Sequence, residues 1–489
     1  MSARRSVIAL TLVALLLRVV TLDVQSYWSD EAATVALLQR SFGGMLRGVV
    51  DGESTPPLYY LLAWLWTQVA GTGEVGTRLL SALISAGTVP VVAALAARMA
   101  DGGTDGRARG RAAVFAAALA ALSPLTVWYG QEARGYALLM LLAAGSVLAL
   151  LRALDTPSRG RLTAWAALAI AAMWTHHFAL FIVIAEAAWA LWVLRERALA
   201  AVGTVALGAA ALAPLLLHQR DAGRASFIAQ ESLGRRLAQL PKQVLAGYDA
   251  PAEALLTAAG AVAVLVALAG LVRALGPGRT PRPLLVGLTV AAAGVLLPLL
   301  AASVGQDFVL TRNVIGVLPL VLALLGAGAA LLPRRVLGGG AVAVLGATGL
   351  VCAFAVWANP IYQRDDFRAA VAAATRGDRG PRLVVADAES RTPARLYLGP
   401  DTRLALSGAP KAVREIDVVK VAGARPGGVR TTPQLPEGLV PAGFTPAGTT
   451  TGETWAVRRF VAPAPVAVDP GTLAPLNPGH PAIVLLRPR

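Results

Sequence analysis

"YWSDEAAT", residues 27–34, sets two carboxylates side by side, Asp30 and Glu31, directly after the first long apolar run of the chain. Adjacent acids at such a place have two uses. They can finish a helix end, because Ser29 can cap a helix that starts at Asp30 and acids in a first turn favour its positive pole. Alternatively, one of them can take a proton from a substrate. A helix N-terminus opposes that second use by lowering a carboxylate's pKa, whereas burial or a neighbouring carboxylate raises it. Residues i and i+1 do not share a helix face, so at most one of the pair points fully into a site.

Further polar groups stand out from apolar surroundings: Asp51 and Glu53 in "DGESTPP" (51–57), "WYGQEARGY" (128–136), "THH" (175–177), the 218–250 loop and "QDFVLTRN" (306–313). Each has an ordinary explanation. Residues 51–57 can be a loop, Arg134 can pair with Glu132 or Glu31, and Arg18 can snorkel from the end of a span. His176 and His177 can cap a helix, and a lone pair of histidines is two ligands short of a metal site. Arg312 and Asn313 can anchor a span at the interface, and "IYQRDDFR" can begin a helix of the tail. What these groups share is one side of the membrane. Charges at membrane depth cost a few kcal/mol each, so they line cavities or pair. A cavity holding both carboxylates and cations suits an anionic substrate that is deprotonated nearby.

That sidedness depends on the elements that carry the groups. The chain has 489 residues, 56% hydrophobic and only 15% charged, with mean hydropathy +0.61. Its apolar runs repeatedly reach the roughly 20 residues that cross a bilayer core. The net charge of +16 does not point to nucleic acid, since the arginines fall in short loops between apolar runs. Arg4 and Arg5 set the N-terminus in the cytoplasm by the positive-inside rule, which delivers the acid pair outside. The first apolar run is long and lacks a small-residue cleavage site, so it reads as an uncleaved anchor. "PPLYYLLAWLWTQVAG" (56–71) reads as an interfacial helix, for its length and aromatics. The later arginine clusters, at 107–111, 152–161, 195–197, 273–282 and 334–335, are then all cytoplasmic.

Eleven spans follow, at about 5–22, 77–98, 111–128, 136–154, 161–175, 178–195, 199–217, 251–273, 283–303, 313–332 and 336–358. The first outer loop covers about 23–76. From about 359 the tail turns richer in Pro, Gly and charge, and reads as a small extracytoplasmic α/β domain. "RDDFRAAVAAATRG" is its helix; "RLVVADA", "EIDVVKVA" and "TWAVRRFVA" are strands. The Pro-rich stretch 462–481 reads as a wrapping loop. The domains are thus 1–358 and 359–489. Cys352 is the one cysteine, so no disulfide forms within the chain. Three lysines against many arginines, with abundant Ala, Gly and Val, suggest a GC-rich bacterial genome.

In combination, "YWSDEAAT", "ESTPPLYYLLAWLW", "GEVGTRLLSALISAGTVPVV", "LSPLTVWYGQEARGYALL", "THHFALF" and "TRNVIGVLPL" resemble the bacterial branch of the protein O-mannosyltransferase-like superfamily. These are membrane glycosyltransferases of the GT-C fold, related to the aminoarabinose transferases that modify lipid A. The resemblance covers about residues 5–360. It implies an all-α polytopic domain with juxtamembrane helices in the first outer loop. It also implies a polyprenyl-phosphate-linked sugar donor, used on the extracytoplasmic face with inversion at the anomeric carbon. By the same resemblance Asp30 is the general base, Glu31 its neighbour in the motif, and Glu53 the acid preceding the Pro-Pro pair.

The reaction so implied sets its own demands. A sugar hydroxyl is a poor nucleophile, and a positioned carboxylate that takes its proton contributes about 10²–10⁴-fold. The anomeric carbon passes through an oxocarbenium-like state. The departing polyprenyl phosphate needs preorganised cations or donors. Arginine's planar fork suits phosphate, which makes Arg134 and Arg312 the first choices, with Lys242 and His176 next. Tyr59, Tyr129, Gln131, His177 and Asn313 are expected around the substrate cavity. A divalent cation can share this work, and the sequence leaves metal dependence open. The expected partners are the lipid-linked donor, a glycan, glycolipid or protein acceptor, and the bilayer, with no nucleic acid. The expected location is the bacterial cytoplasmic membrane. Mannose or arabinofuranose on decaprenyl phosphate is the favoured donor. The tail is expected to cover the site or help bind the acceptor.

Two other classes compete. A transporter or flippase of an anionic lipid-linked substrate would show corresponding interrupted segments in its two halves, and none is evident. A polymer ligase or polymerase would lack the acid pair after the first span.

Overall fold

The computed structural model describes residues 2–101, 106–223, 226–276, 281–377, 380–423, 430–477 and 482–488. Two compact units emerge. One comprises Met1–Leu22 and Leu37–Phe354; the other comprises Asp23–Ala36 and Ala355–Arg489.

The helices begin with α1 (Ala3–Val19), α2 (Ser29–Leu38), α3 (Phe42–Gly52), α4 (Leu58–Ala70), α5 (Glu74–Met99), α6 (Gly106–Leu122), α7 (Pro124–Gly130) and α8 (Tyr136–Asp155). They continue with α9 (Arg159–Thr175), α10 (Ala179–Leu194), α11 (Glu196–Asp221), α12 (Leu233–Ala246), α13 (Glu253–Ala274), α14 (Arg282–Ser303), α15 (Leu318–Leu331) and α16 (Arg335–Ala358). Each of the eleven segments expected to span is helical. Among the described residues, six helices (α5, α8, α11, α13, α14 and α16) are long and apolar enough to cross a membrane. The pair α6–α7, bent by 56°, makes a seventh. The expected count of eleven therefore stands at six or seven by length. The reason is geometric. Helices α1, α9, α10 and α15 have 14 to 17 residues, about 21–26 Å at 1.5 Å per residue, against a core of about 30 Å. The chain is a multi-pass membrane protein.

Local chemistry explains the breaks. Pro124 opens α7 just after Ser123, and its missing N–H interrupts the ladder where the pair bends. Helix α4 follows Pro56 and Pro57 and has 13 residues, about 20 Å. It stops at Gly71, whose φ of 74° is left-handed. Helices α13 and α15 cross closely: a Cβ on Gly270 would lie 1.9 Å from the Gly328 carbonyl oxygen. Small residues let membrane helices approach in this way, with dispersion rather than water driving the contact. Leu207 on α11 and Leu265 on α13 are well exposed, as side chains facing lipid are.

The second unit is a mixed α/β body. Its strands are β1 (Arg382–Asp387), β2 (Arg403–Leu404), β3 (Lys411–Val421), β4 (Thr445–Thr451), β5 (Trp455–Val468) and β6 (Ala482–Arg487), in spatial order β2-β6-β1-β3-β5-β4. Strands β1 and β3 run parallel and the other pairings are antiparallel. Leu383, Val385, Ile416, Val418 and Phe460 form a core on one face. Val384, Val419 and Val457 pack on the other against α17 (Phe367–Ala374) and α18 (Arg391–Leu398). Central strands buried on both faces explain the unbroken apolar runs that made β1 and β3 legible.

The Pro-rich stretch needs correcting. Rather than being loop throughout, residues 462–468 continue β5, and 466–468 pair with β3. Pro463 and Pro465 fall in the irregularity between the pairs Val413↔Val466 and Glu415↔Val461, where no ladder N–H is required. A 3₁₀ turn follows at Pro470–Leu476. The rest of that stretch, 478–481, and Arg279 lie outside the described residues.

Candidate active site

In the helical unit, side chains from four separate segments of the sequence converge. Arg134 leaves the "QEAR" turn between α7 and α8 and is 7% exposed. Its Nη1 donates to both carboxylate oxygens of Glu53, at 3.2 and 3.1 Å, and to the Tyr60 hydroxyl at 2.9 Å. Glu53 sits there because it is the C-cap residue of α3, with its backbone N–H on the Val49 carbonyl. Thr55 lies 3.2 Å from the same Tyr60 hydroxyl. His176 is the C-cap of α9, so its capping role is real. Burial, then the His177, Arg134 and Arg312 charges, push its imidazole down to about 3. The Phe178 N–H donates to Nδ1, so the neutral ring carries its proton on Nε2. The Tyr136 ring lies 6.0 Å from that of His176.

The Arg312 charge also reaches the 242–248 segment. Tyr248 hydrogen-bonds the Tyr129 hydroxyl, and burial raises its phenol with Arg312 acting in the opposite direction. Arg312 stacks over Phe227 at 5.4 Å. Lys242 Nζ donates to the Tyr248 carbonyl at 2.6 Å and to Glu253 at 2.9 Å. Arg134 and Arg312, expected from the sequence to act together with His176, thus each act on the His176 imidazole. The Lys242 charge is compensated by Glu253 at 2.9 Å, as that of Arg134 is by Glu53 at 3.1 Å.

The remaining expected residues hold the frame. Gln131 Nε2 donates to the Leu17 and Arg18 carbonyls and to Thr21 Oγ1, pinning the end of α1. Tyr59 reaches Ser81 at 3.4 Å. His177 Nε2 is 3.0 Å from Gln219, whose amide donates to the Val49 and Thr55 carbonyls beside Glu53. Asn313 Nδ2 donates to the Phe308 carbonyl within its loop. Arg18 does not snorkel. It is fully buried and donates to Ser85 and to the carbonyls of Ala14, Ala120 and Ala121.

Near this cluster the 304–314 loop is tied by Arg236, whose fork bonds both Asp307 oxygens and the Val309 carbonyl. Those hydrogen bonds hold the Asp307 carboxyl below 3.8. A depressed acid contributes stability above its unfolded value and loses it as pH falls through the folded one. Asp307→Asn is therefore expected to lower the melting temperature in detergent at pH 7. The gap to wild type should close as pH drops below 3.8, which a melting series against pH measures.

The acid pair lies in the other unit. Helix α2 begins at Ser29, one residue earlier than expected, and the Trp28 carbonyl accepts the Ala32 N–H at 2.9 Å. Ser29 is thus inside the first turn with both acids rather than capping it. The two differ in environment: Glu31 is 0% exposed, whereas Asp30 is half-buried. A rotation of about 100° between successive helix positions accounts for the difference. Asp365, in the same unit, is raised by burial and by the Asp30 charge, with Arg430 and Arg364 opposing. Among the described residues no three His, Cys, Asp or Glu side chains are grouped to hold a metal ion.

Sequence reasoning missed Tyr60, Tyr136, Tyr248 and Gln219, and it missed Asp365 in the second unit. Tyr60 had a signal, since it stands beside Tyr59 in the motif. On a short helix nothing in the spacing says which of two adjacent tyrosines meets the arginine. Gln219 had none.

Apolar helices with polar groups converging from their connecting segments, joined in one chain to a mixed α/β unit, define a membrane protein whose polar site is borne largely by its loops. Residues 54–218 match the family model described as dolichyl-phosphate-mannose-protein mannosyltransferase, and this stretch carries that family's sequence pattern. A comparison with the curated proteins gives no match. Among solved structures the chain is similar to ArnT from Cupriavidus metallidurans in the apo state, at 18% identity over 68% of this chain and 61% of that one, with TM-score 0.48. ArnT bound to undecaprenyl phosphate aligns at 17% identity over 67% and 61%, with TM-score 0.46. The arabinosyltransferase EmbB from Mycobacterium smegmatis aligns at 15% identity over 67% and 30%, with TM-score 0.41. The chain spans about three fifths of the length of ArnT.

Proposed function

We propose that the protein is an inverting glycosyltransferase of GT-C type that moves a sugar from a polyprenyl phosphate to a cell-envelope acceptor at the outer face of a bacterial cytoplasmic membrane. The observation that carries this reading is the buried Arg134, fixed by both Glu53 carboxylate oxygens and the Tyr60 hydroxyl, with Arg134 and His176 both in the stretch that matches a lipid-phosphate-sugar transferase family. Two guanidiniums and a neutral imidazole that donates through Nε2 suit a phosphate whose negative charge grows as the sugar departs. Glu53 and Tyr60 hold Arg134 in one orientation, so little reorganisation accompanies the reaction. Asp30 is the general base, and its partial exposure beside a fully buried Glu31 favours it as the carboxylate that a hydroxyl reaches.

The step balances without a further reactant. The acceptor oxygen attacks the anomeric carbon, the bond from that carbon to the phosphate oxygen breaks, Asp30 takes the hydroxyl proton, and polyprenyl phosphate leaves as the anion. Mannosyl and arabinofuranosyl donors are the first to try, with a glycan, glycolipid or protein as acceptor. Purified protein incubated with a panel of synthetic polyprenyl-phosphate sugars and an acceptor mixture is expected to release polyprenyl phosphate from one sugar, and only with acceptor present. Transbilayer movement of the intact donor without release would favour a flippase instead.

A further inference from the structure

We infer that the sheet-bearing unit is the positioning element of the catalytic helix, with Ser26 and Tyr397 as its positioning residues; this rests on Asp30 being the general base. Residues 23–36 pack with 355–489 as one compact body, and the attachment is concentrated on four residues. Gln25 Oε1 accepts the Arg364 N–H at 3.0 Å. Ser26, 3% exposed, donates to the Asp365 carbonyl at 2.5 Å and accepts the Phe367 N–H at 3.1 Å. The Tyr27 N–H donates to the Tyr397 hydroxyl at 2.7 Å, with the two rings 6.4 Å apart. Arg368 donates to the Val24 carbonyl at 2.9 Å.

Both halves of this clamp are anchored. The 364–367 turn leads into α17, whose N-cap Asp366 accepts the Ala369 N–H, and α17 and α18 pack on the sheet. On the other side Tyr27, Ala32 and Val35 pack against Leu396 and Tyr397. The last clamped residue, Tyr27, stands three positions before Asp30, and the Trp28 carbonyl already belongs to the first turn of α2. A shift at the clamp is therefore transmitted to the base with no flexible linker between them. The segment's own polar surface needs these partners: buried side-chain and backbone groups at 24–27 are satisfied by 364–368 and 397. This gives the tail a role in the transfer step, distinct from covering the site or binding the acceptor.

The test uses the full chain in detergent, comparing wild type, Tyr397→Phe, Ser26→Ala and, as a surface control on β2, Arg403→Ala. A misplacement of about 1 Å costs on the order of 10²-fold in rate. Tyr397→Phe and Ser26→Ala are thus expected to lose about 10- to 100-fold in kcat while the donor KM stays within about twofold. Hydrogen exchange at amides 29–36 should quicken in both variants and not in Arg403→Ala. Unchanged exchange in both variants overturns the clamp whatever the rates are. So do unchanged kcat values, or losses that track KM instead. If wild type consumes no donor, the transferase reading fails, and the exchange data still decide the clamp.

Discussion

Asp30→Asn is expected to lower kcat by about 10²–10⁴-fold while leaving donor affinity unchanged, measured as polyprenyl phosphate released by purified wild type and variant. The substitution is close to isosteric, keeps a polar side chain in the first turn of α2 and removes only the capacity to accept a proton. A residue that merely completes a helix end would register in melting temperature, by about 0.3–1 kcal/mol for an acid near the N-terminus, with turnover preserved. Glu31→Gln supplies the contrast, because a fully buried carboxylate acts on stability before it acts on a substrate. Should Asp30→Asn turn over as fast as wild type, the base lies elsewhere and Asp30 returns to its helical role. A flippase would keep both substrate binding and transport in that variant.

The positions of the apolar helices were legible because each element advertises itself. Twenty-odd apolar residues have few alternatives to a helix in a membrane, and the Pro-Pro pair with its aromatics marked α4 as something other than a span. Charge placement exposed the polar segments, since an arginine or a histidine in apolar sequence is costly and needs a reason. What the spacing did not carry was partnership. Glu53 and Arg134 are 81 positions apart, and their meeting depends on how α3, α4 and α8 pack. Helix α12 was hidden inside a long loop because its polar face outweighs its apolar one. Strand β4, "TPAGTTT", is exposed throughout, so it lacks the alternation by which strands are read, and the two-residue β2 is too short for any pattern. The attachment of residues 23–36 to the tail was invisible for a different reason. Each of the five hydrogen bonds described sets a side chain against a backbone N–H or carbonyl, which every residue possesses, and sequence does not say which of them bond at a distance of more than three hundred positions.

Arg134→Met is expected to destabilise the helical unit by about 3–5 kcal/mol, because it leaves the Glu53 carboxylate buried without the guanidinium that neutralises it. The Tyr60 hydroxyl loses a charged donor at the same time. The double variant Glu53→Leu, Arg134→Met should recover most of that loss, since replacing both members of a buried pair with apolar groups is often neutral. Activity should not return with stability. If Arg134 serves the departing phosphate, the double variant is well folded and slow; if the pair exists only to join α3 to the loop before α8, the double variant is well folded and active. Melting temperature and polyprenyl phosphate release, measured on both variants, separate the two. The physical ground for expecting the slow outcome is that an apolar pair would hold these helices together about as well. The desolvation of Arg134 therefore has no evident structural return, whereas on the proposed reading a guanidinium held by Glu53 and Tyr60 would offer the departing phosphate a donor that is already oriented.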